Sequence, residues 1–326
     1  MFVELGDHKV ALDSSESSAD IKFVSHAHTD HIAGVRNNDA ILASKATAEL
    51  LQARGKQNVS TIEIPNNVEL LDAGHIHGSK QIYIEDYEKG YSLLYTGDYQ
   101  LDEPIIGEKI QVHNADILIM DSTYPYENLV FDSKSEVITA IQHYIKNKLK
   151  YGNVIFKAYP LGRTQELIRI INDIGIVPVV GESTRAINEV YNSHGLHLAY
   201  EVYNYTNMKN DTFVGIFGSK EFAAVTASLS SKGARVFTAV ATGWAKLFRF
   251  NTSVQFALTD HADLKQAIEY INMCNPKTIL TVGHNAWLLA LKLSRLGYNA
   301  KEASRQIRFE TEHVQAPLET NNKNKQ

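Results

Sequence analysis

Three imidazoles and one carboxylate fall within six consecutive residues, at His26, His28, Asp30 and His31. Imidazole nitrogens and carboxylate oxygens are ligands that suit zinc and its first-row neighbours. One ion cannot take all four side chains from so short a loop, because neighbouring side chains point in different directions. In an extended loop His26 and His28 would face one ion, while Asp30 and His31 would face a second. Chance enrichment is a poor alternative, since the chain has 13 histidines in 326 residues.

This chemistry requires secondary-structure elements that hold the side chains in place. Short apolar segments precede most of the candidate ligand residues. Residues 21–24 form an apolar run that predicts a strand leading into the histidine loop. His75, Asp98 and Asp121 each follow a further strand-like segment. A sheet whose strand ends carry metal-type ligands at one edge indicates a site. Asp13 also ends a predicted strand, where it could orient a ligand imidazole or cap a turn.

The pattern changes near residue 135, where helical and strand-like segments begin to alternate. This alternation favours an α/β unit with a parallel sheet. Histidine and aspartate return together at residues 259–263 and again at His284. The distribution indicates one metal-binding domain that is interrupted by an insertion. Residues 160–166 of the insertion have the pattern of a helix start whose amides could hold phosphate, although a helix start without a ligand is the simpler interpretation.

Composition excludes several classes of protein. A net charge of −5 and a pI near 6.2 argue against a largely basic surface, so nucleic acid would have to bind in a local groove. The single cysteine, Cys274, excludes an internal disulfide framework and a thiolate metal site. No apolar run approaches the roughly 20 residues that span a bilayer, and residues 1–7 lack the pattern of a signal peptide. The sequence therefore predicts a cytoplasmic protein without membrane contact.

The histidine loop at residues 26–31 resembles the HxHxDH motif of the metallo-β-lactamase superfamily, and His75 and Asp98 match its later ligand positions. The resemblance covers roughly residues 3–309. It implies an α/β protein, namely a four-layer αββα metallo-β-lactamase sandwich with an inserted α/β β-CASP domain. The implied boundaries are 1–124 and 246–313 for the two parts of the metallo-β-lactamase domain, 125–245 for the insertion and 314–326 for a disordered tail.

The insertion, with Asp121, residues 259–263 and His284, resembles the β-CASP branch of that superfamily, the nucleases of RNA processing and DNA repair. The similarity is to short prokaryotic relatives of the cleavage-and-polyadenylation endonuclease and to exonucleases associated with bacterial DNA ligases. It implies two zinc ions, with manganese as an alternative. The implied metal ligands are His26, His28 and His75 for one ion, Asp30, His31 and His284 for the other, and Asp98 between them.

Three further roles follow from the resemblance. His261 would be the general acid or a phosphate contact, and Asp121 would orient it; both count as catalytic residues, together with Asp30. Asp13 would hold a ligand histidine from behind. His77 stands where relatives commonly have a small or apolar residue, and we expect it on the loop surface.

The implied function is a dinuclear zinc phosphodiesterase that hydrolyses RNA through a metal-activated hydroxide, as an endonuclease, a 5′-to-3′ exonuclease or both. His284 favours RNA, and the alternative function is a DNA exonuclease of the repair type. The implied partner is RNA, with single-stranded DNA as an alternative. A small-molecule hydrolase is disfavoured by the long insertion, and an inactive scaffold by the full ligand set. Arg163 and Lys246 are expected to contact nucleic acid, and a homodimer is left open.

Overall fold

The computed structural model describes residues 1–5, 8–16, 18–86, 90–204, 212–303 and 306–307. The tail predicted at residues 314–326 lies outside this part of the chain. None of the helices in the described ranges is long and apolar enough to cross a membrane.

The described residues form 18 strands and seven α-helices. In chain order the strands are β1 (Phe2–Leu5), β2 (His8–Leu12), β3 (Ile21–Phe23), β4 (Ala40–Ile41), β5 (Ser60–Thr61), β6 (Val68–Asp72), β7 (Lys80–Asp86), β8 (Tyr91–Tyr95), β9 (Ile117–Asp121), β10 (Asn153–Lys157), β11 (Val179–Val180), β12 (Glu201–Val202), β13 (Val214–Phe217), β14 (Val236–Ala241), β15 (Val254–Phe256), β16 (Thr278–Val282), β17 (Ala300–Glu302) and β18 (Gln306–Ile307). The α-helices are α1 (Lys45–Ala53), α2 (Lys134–Lys148), α3 (Arg163–Asn172), α4 (Arg185–Ser193), α5 (Ser219–Ser231), α6 (Leu264–Cys274) and α7 (Ala286–Arg295), and short 3-10 helices lie at Glu182–Thr184 and Gly243–Lys246.

Two sheets share a hydrophobic core. The first has the strand order β18-β1-β2-β3, and the second has the order β17-β16-β9-β8-β7-β6. Strand β9 shows how the sequence builds the layers, because successive side chains of a strand point to opposite faces. Ile117 and Ile119 pack in the core shared with the first sheet, whereas Leu118 and Met120 pack against α6 and α7. The predicted mixed α/β class is confirmed.

Parallel pairing brings the ends of several strands to neighbouring sheet edges. Strands β8, β9 and β16 run parallel to one another in the second sheet. Asp98 follows β8, Asp121 ends β9, and His284 follows β16. In the first sheet β2 runs parallel to β3, so Asp13 lies beside the start of the histidine loop.

The insertion contains a third sheet, with the order β12-β11-β13-β10-β14-β15. Each of its neighbouring pairs is parallel, as the alternation of helices and strands predicts. Because β15 pairs with β14, the sheet continues to Phe256, beyond the boundary predicted at residue 245. The sequence prediction places this segment in the other domain because it leads directly into the histidine-bearing residues 259–263.

One hydrophobic cluster joins the insertion to the histidine loop. It contains Ala27 from the histidine loop, Ile76 from the loop after β6 and Leu161 from the insertion. Nε2 of His28 lies 3.3 Å from the carbonyl oxygen of Leu161. Gly162 has a φ of 84°, and a Cβ at this position would lie 2.8 Å from Ile76 Cγ2. Only glycine therefore allows the insertion loop to approach the histidine loop so closely.

We expect Ile119→Ala to lower the free energy of unfolding by about 2–5 kcal/mol, because it opens a cavity between the two sheets. Ile64→Ala is the matched control, since Ile64 is 50% exposed and its truncation should cost less than about 1 kcal/mol. Urea denaturation followed by circular dichroism measures both changes. Equal losses for the two variants would contradict this placement of the core.

Candidate metal centre

Three ring nitrogens from two loops converge on one point. His26, in the loop after β3, is fully buried. Its Nε2 lies 3.0 Å from Nδ1 of His28. His75 comes from the loop after β6, and its Nε2 lies 3.1 Å from the same Nδ1 atom.

The convergence suits a metal ion better than it suits hydrogen bonding. A single N–H can satisfy one pair of ring nitrogens and leaves the third without a partner. Nitrogen ligands on a tetrahedral zinc ion lie roughly 3.3 Å apart, given Zn–N distances of about 2.0–2.1 Å. Burial lowers the pKa of His26 well below its usual range and the pKa of His75 to about 4. Both rings are therefore neutral, which is the form that binds metal.

Asp98 lies between this group and a second one. Its Oδ2 atom is 3.5 Å from His26 Nε2 and 3.6 Å from His75 Nε2. On the other side, the same Oδ2 atom is 3.3 Å from His31 Nε2, which is 3.6 Å from Asp30 Oδ2. Burial alone would raise the pKa of Asp98, but the charge of His31 helps to hold it well below its usual range. An ionised carboxylate in this position can serve both groups.

Asp13 holds the second group from behind. Its carboxylate accepts hydrogen bonds from the Ser25 amide at 2.7 Å, from His31 Nδ1 at 2.7 Å and from the Tyr95 hydroxyl at 2.9 Å. The bond to Nδ1 directs Nε2 of His31 towards Asp98. Asp13 has a φ of 43°, which is uncommon for a residue with a side chain, and these hydrogen bonds offset the strain.

The segment after β15 supports His75. The backbone carbonyl of Asp260 lies 2.8 Å from His75 Nδ1, so Nε2 of His75 is directed towards the other ring nitrogens. Asp260 Oδ1 forms an ion pair with Arg163 Nη2 at 3.0 Å. Nη1 of the same guanidinium lies 2.5 Å from Glu166 Oε2. Sequence reasoning did not select Asp260, although its position directly before His261 could have suggested it.

The two residues predicted to contact nucleic acid both pair with acidic groups of the protein. Arg163 is 5% exposed, between its two carboxylate partners. Lys246 Nζ lies 2.9 Å from Asp132 Oδ2. It does not belong to the described lining of the cavity that Asp98 and His261 line. Arg54 was not selected from the sequence, yet its guanidinium lines the cavity and donates to the Thr29 hydroxyl at 2.7 Å.

His261 lies over the buried carboxylate from the insertion side. Its Nδ1 is 3.3 Å from Asp121 Oδ2, and its Nε2 is 3.9 Å from Asp98 Oδ2. The ring packs edge-on to Tyr124, with 6.0 Å between the centroids. Burial alone would lower the pKa of His261, but Asp98 and Asp121 raise it to about 9. The imidazole is therefore protonated at neutral pH and can donate a proton.

His284 lies apart from the ligand groups. It is exposed on the loop after β16 and lines the same cavity. The groups that could hold a metal among the described residues include His261 and Asp260 but not His284. Its role as a ligand of the second ion stays a prediction.

The expectation that His77 lies on the loop surface is wrong. Its side chain is buried, and its Nδ1 lies 2.8 Å from Glu108 Oε1. The ring also packs against His194 of the insertion, with centroids 4.9 Å apart. Burial alone would raise the pKa of Glu108, but the hydrogen bond with His77 and the Gly78 amide lower it to about 2. His77 therefore ties two units together beside the metal centre.

One cavity of about 1220 Å³ is lined by His28, Asp30, His31, Asp98, Asp121, Asp260, His261 and His284. Small-molecule pockets typically measure about 300–1,000 Å³, so the volume favours a larger substrate. The lining carries five aspartates and two arginines, so a polyanion would be repelled unless cations offset the carboxylates, and the protonated rings of His31 and His261 offset part of that charge. The aspartates and arginines are Asp13, Asp30, Asp98, Asp121, Asp260, Arg54 and Arg163.

No family model matches the chain. Over 85% of its length it is 29% identical to a probable DNA ligase from Opitutus terrae, of which the match covers 28%. Over 51% of its length it is 27% identical to probable RNase MJ4 from Methanocaldococcus jannaschii, of which the match covers 48%. Over 45% of its length it is 30% identical to the 5′ exonuclease Apollo from Rattus norvegicus, of which the match covers 30%. The chain thus spans about half or less of the length of these curated relatives.

We expect His75→Gln to lower the bound zinc measured by mass spectrometry, because it removes one of three converging nitrogens. His77→Gln is the matched control two residues away, and it should retain the metal content of the parent chain. Metal loss from both variants to the same extent would contradict the separation of His77 from the metal centre.

Proposed function

The chain belongs to the metallo-β-lactamase superfamily, in its β-CASP nuclease branch, and we propose that it is a metal-dependent nuclease using two zinc ions, with manganese as an alternative. The observation that carries the proposal is the placement of two ligand groups on either side of Asp98. The proposed fold is the four-layer αββα sandwich with its inserted β-CASP domain. The proposed ligands are His26, His28 and His75 for one ion, Asp30, His31 and His284 for the other, and Asp98 for both.

Bound ions would supply Lewis acidity for the phosphoryl oxygens and a water that ionises near neutral pH. The protein supplies the remaining chemistry. Asp13 and the Asp260 carbonyl fix the ring orientation of His31 and His75, so their Nε2 atoms stay directed at the centre. The five aspartates of the lining support a metal requirement for substrate binding as well as for hydrolysis, because bound cations would offset their repulsion of a polyanion.

His261 is the proposed proton donor to the leaving oxygen. Its Nε2 faces the centre, and its Nδ1 is within hydrogen-bond distance of Asp121. The carboxylate of Asp121 orients the ring and favours the imidazolium, which is the form that can donate. Because its Nε2 lies 3.9 Å from Asp98 Oδ2, its proton would be within reach of a leaving oxygen at the centre.

RNA is the first candidate substrate, supported by similarity to a probable RNase over half of the chain. Single-stranded DNA is the second, and a specific observation favours it. The similarity that extends over 85% of the chain, including the insertion, is to a probable DNA ligase. Both candidates use the same centre, because hydrolysis of a phosphodiester does not require the 2′-hydroxyl.

We expect His261→Ala to lower the turnover number by about 10²- to 10⁴-fold while bound metal stays unchanged. Added imidazole should restore part of the activity, because it can replace the missing proton donor. Turnover equal to that of the parent chain would remove His261 from the reaction. Loss of metal along with activity would instead make His261 a ligand.

Matched, end-labelled RNA and DNA of one sequence, single- and double-stranded, test the function and its substrate. With zinc or manganese supplied, we expect cleavage of single strands and loss of cleavage when the metal is removed by a chelator. A rate advantage for RNA or for DNA decides between the two candidates. If none of the nucleic acids is cleaved, the nuclease proposal is wrong.

A further inference from the structure

The side chain of Tyr159 is exposed to solvent and lines the cavity. At 74% exposure it is the most exposed of the large hydrophobic residues that the structure describes. It lines the same cavity as His28 and Asp98. Within the described part of the chain, its hydroxyl has no hydrogen-bond partner and its ring has no aromatic contact. An aromatic face left unpacked beside a reaction centre is available to a ligand.

The backbone that carries this ring is firmly held. The carbonyl of Tyr159 accepts hydrogen bonds from the Thr164 amide at 3.2 Å and from the Thr164 hydroxyl at 2.7 Å. The amide of Ala158 donates to the Phe217 carbonyl at 3.0 Å. A ring on an ordered backbone has only its side-chain rotamer to fix on binding, which lowers the entropic cost of stacking.

Other side chains in the lining are already bonded to or packed against the protein, so they are less available to a nucleic-acid strand. Arg54 and Arg163, the arginines of the described lining, both bond to acceptors of the protein. Trp244 also lines the cavity, but its ring packs against Tyr124 with centroids 4.9 Å apart and against Phe248 at 5.7 Å. The unpacked ring of Tyr159 is therefore the group best placed to hold a substrate outside the phosphates.

We propose that Tyr159 stacks on a base of the substrate strand and so selects single strands, an inference that rests on the proposed nuclease function. Every base has an aromatic face, so stacking holds a strand without reading its sequence. Bases within a duplex are already stacked on their neighbours and cannot offer that face. A single strand would be held by its phosphate at ions bound to the proposed ligands and by one base at Tyr159.

The test measures the affinity of oligothymidine that carries phosphorothioate linkages and a fluorescent label, by anisotropy with zinc present. We expect Tyr159→Ala to weaken binding by about tenfold to a hundredfold, the range found when a stacked aromatic is removed. Tyr159→Phe should bind within about twofold of the parent chain, because the ring and not the hydroxyl makes the contact. An abasic oligomer of the same length should bind the parent chain and Tyr159→Ala about equally.

Tyr151→Ala is the matched control, since Tyr151 is a 64% exposed tyrosine that does not belong to the described lining. It should bind oligothymidine like the parent chain. Equal affinity of Tyr159→Ala and the parent chain for oligothymidine overturns the inference, as does an equal loss on the abasic oligomer. Because binding is measured without cleavage, these results are distinct from a failure to cleave, which would reject the proposed function alone.

Discussion

The centre depends on one buried carboxylate that is surrounded by imidazoles. Asp98 is 7% exposed and has ring nitrogens of His26, His31, His75 and His261 within 4 Å. A carboxylate removed from water is unfavourable unless positive charge compensates it. In the chain itself that charge comes from protonated His31 and His261, whereas His26 and His75 are held neutral by burial. The neutral rings of His26 and His75 are in the form that binds a metal, and the charged rings of His31 and His261 compensate the carboxylate.

Strand topology explains how residues from distant parts of the chain reach this carboxylate. The parallel arrangement of β8, β9 and β16 places three loops side by side, and the parallel pair β2 and β3 adds a fourth and a fifth. Strand β9 is buried on both faces, so the loop that follows it starts from a well-packed position. Polar groups on loops anchored by buried strands are held in position by the strands as well as by the hydrogen bonds among the groups themselves.

The parts of the site that depend on local sequence could be predicted, and the parts that depend on packing could not. The histidine loop was recognisable because its four polar side chains are neighbours in the chain, and Asp98 because it follows a strand. The burial of Arg163 and of His77 was not, because each is paired with a residue outside its own segment. Glu108 lies 31 positions after His77, and Asp260 lies 97 positions after Arg163, so only the tertiary fold decides whether each charge is solvated or paired.

The pairing of Arg163 with Asp260 also gives the insertion a structural role in the metal centre. Arg163 begins α3 of the insertion, and its partner Asp260 supplies the carbonyl that orients His75. Removing one partner of a buried pair leaves the other charge uncompensated, which is costly, so the segment that carries Asp260 is held in place by the insertion. The ring orientation of a proposed ligand in the first domain is thereby coupled to the position of the second. An insertion whose only task was to enlarge the cleft would not need this contact, and the geometry favours an insertion that helps to assemble the centre.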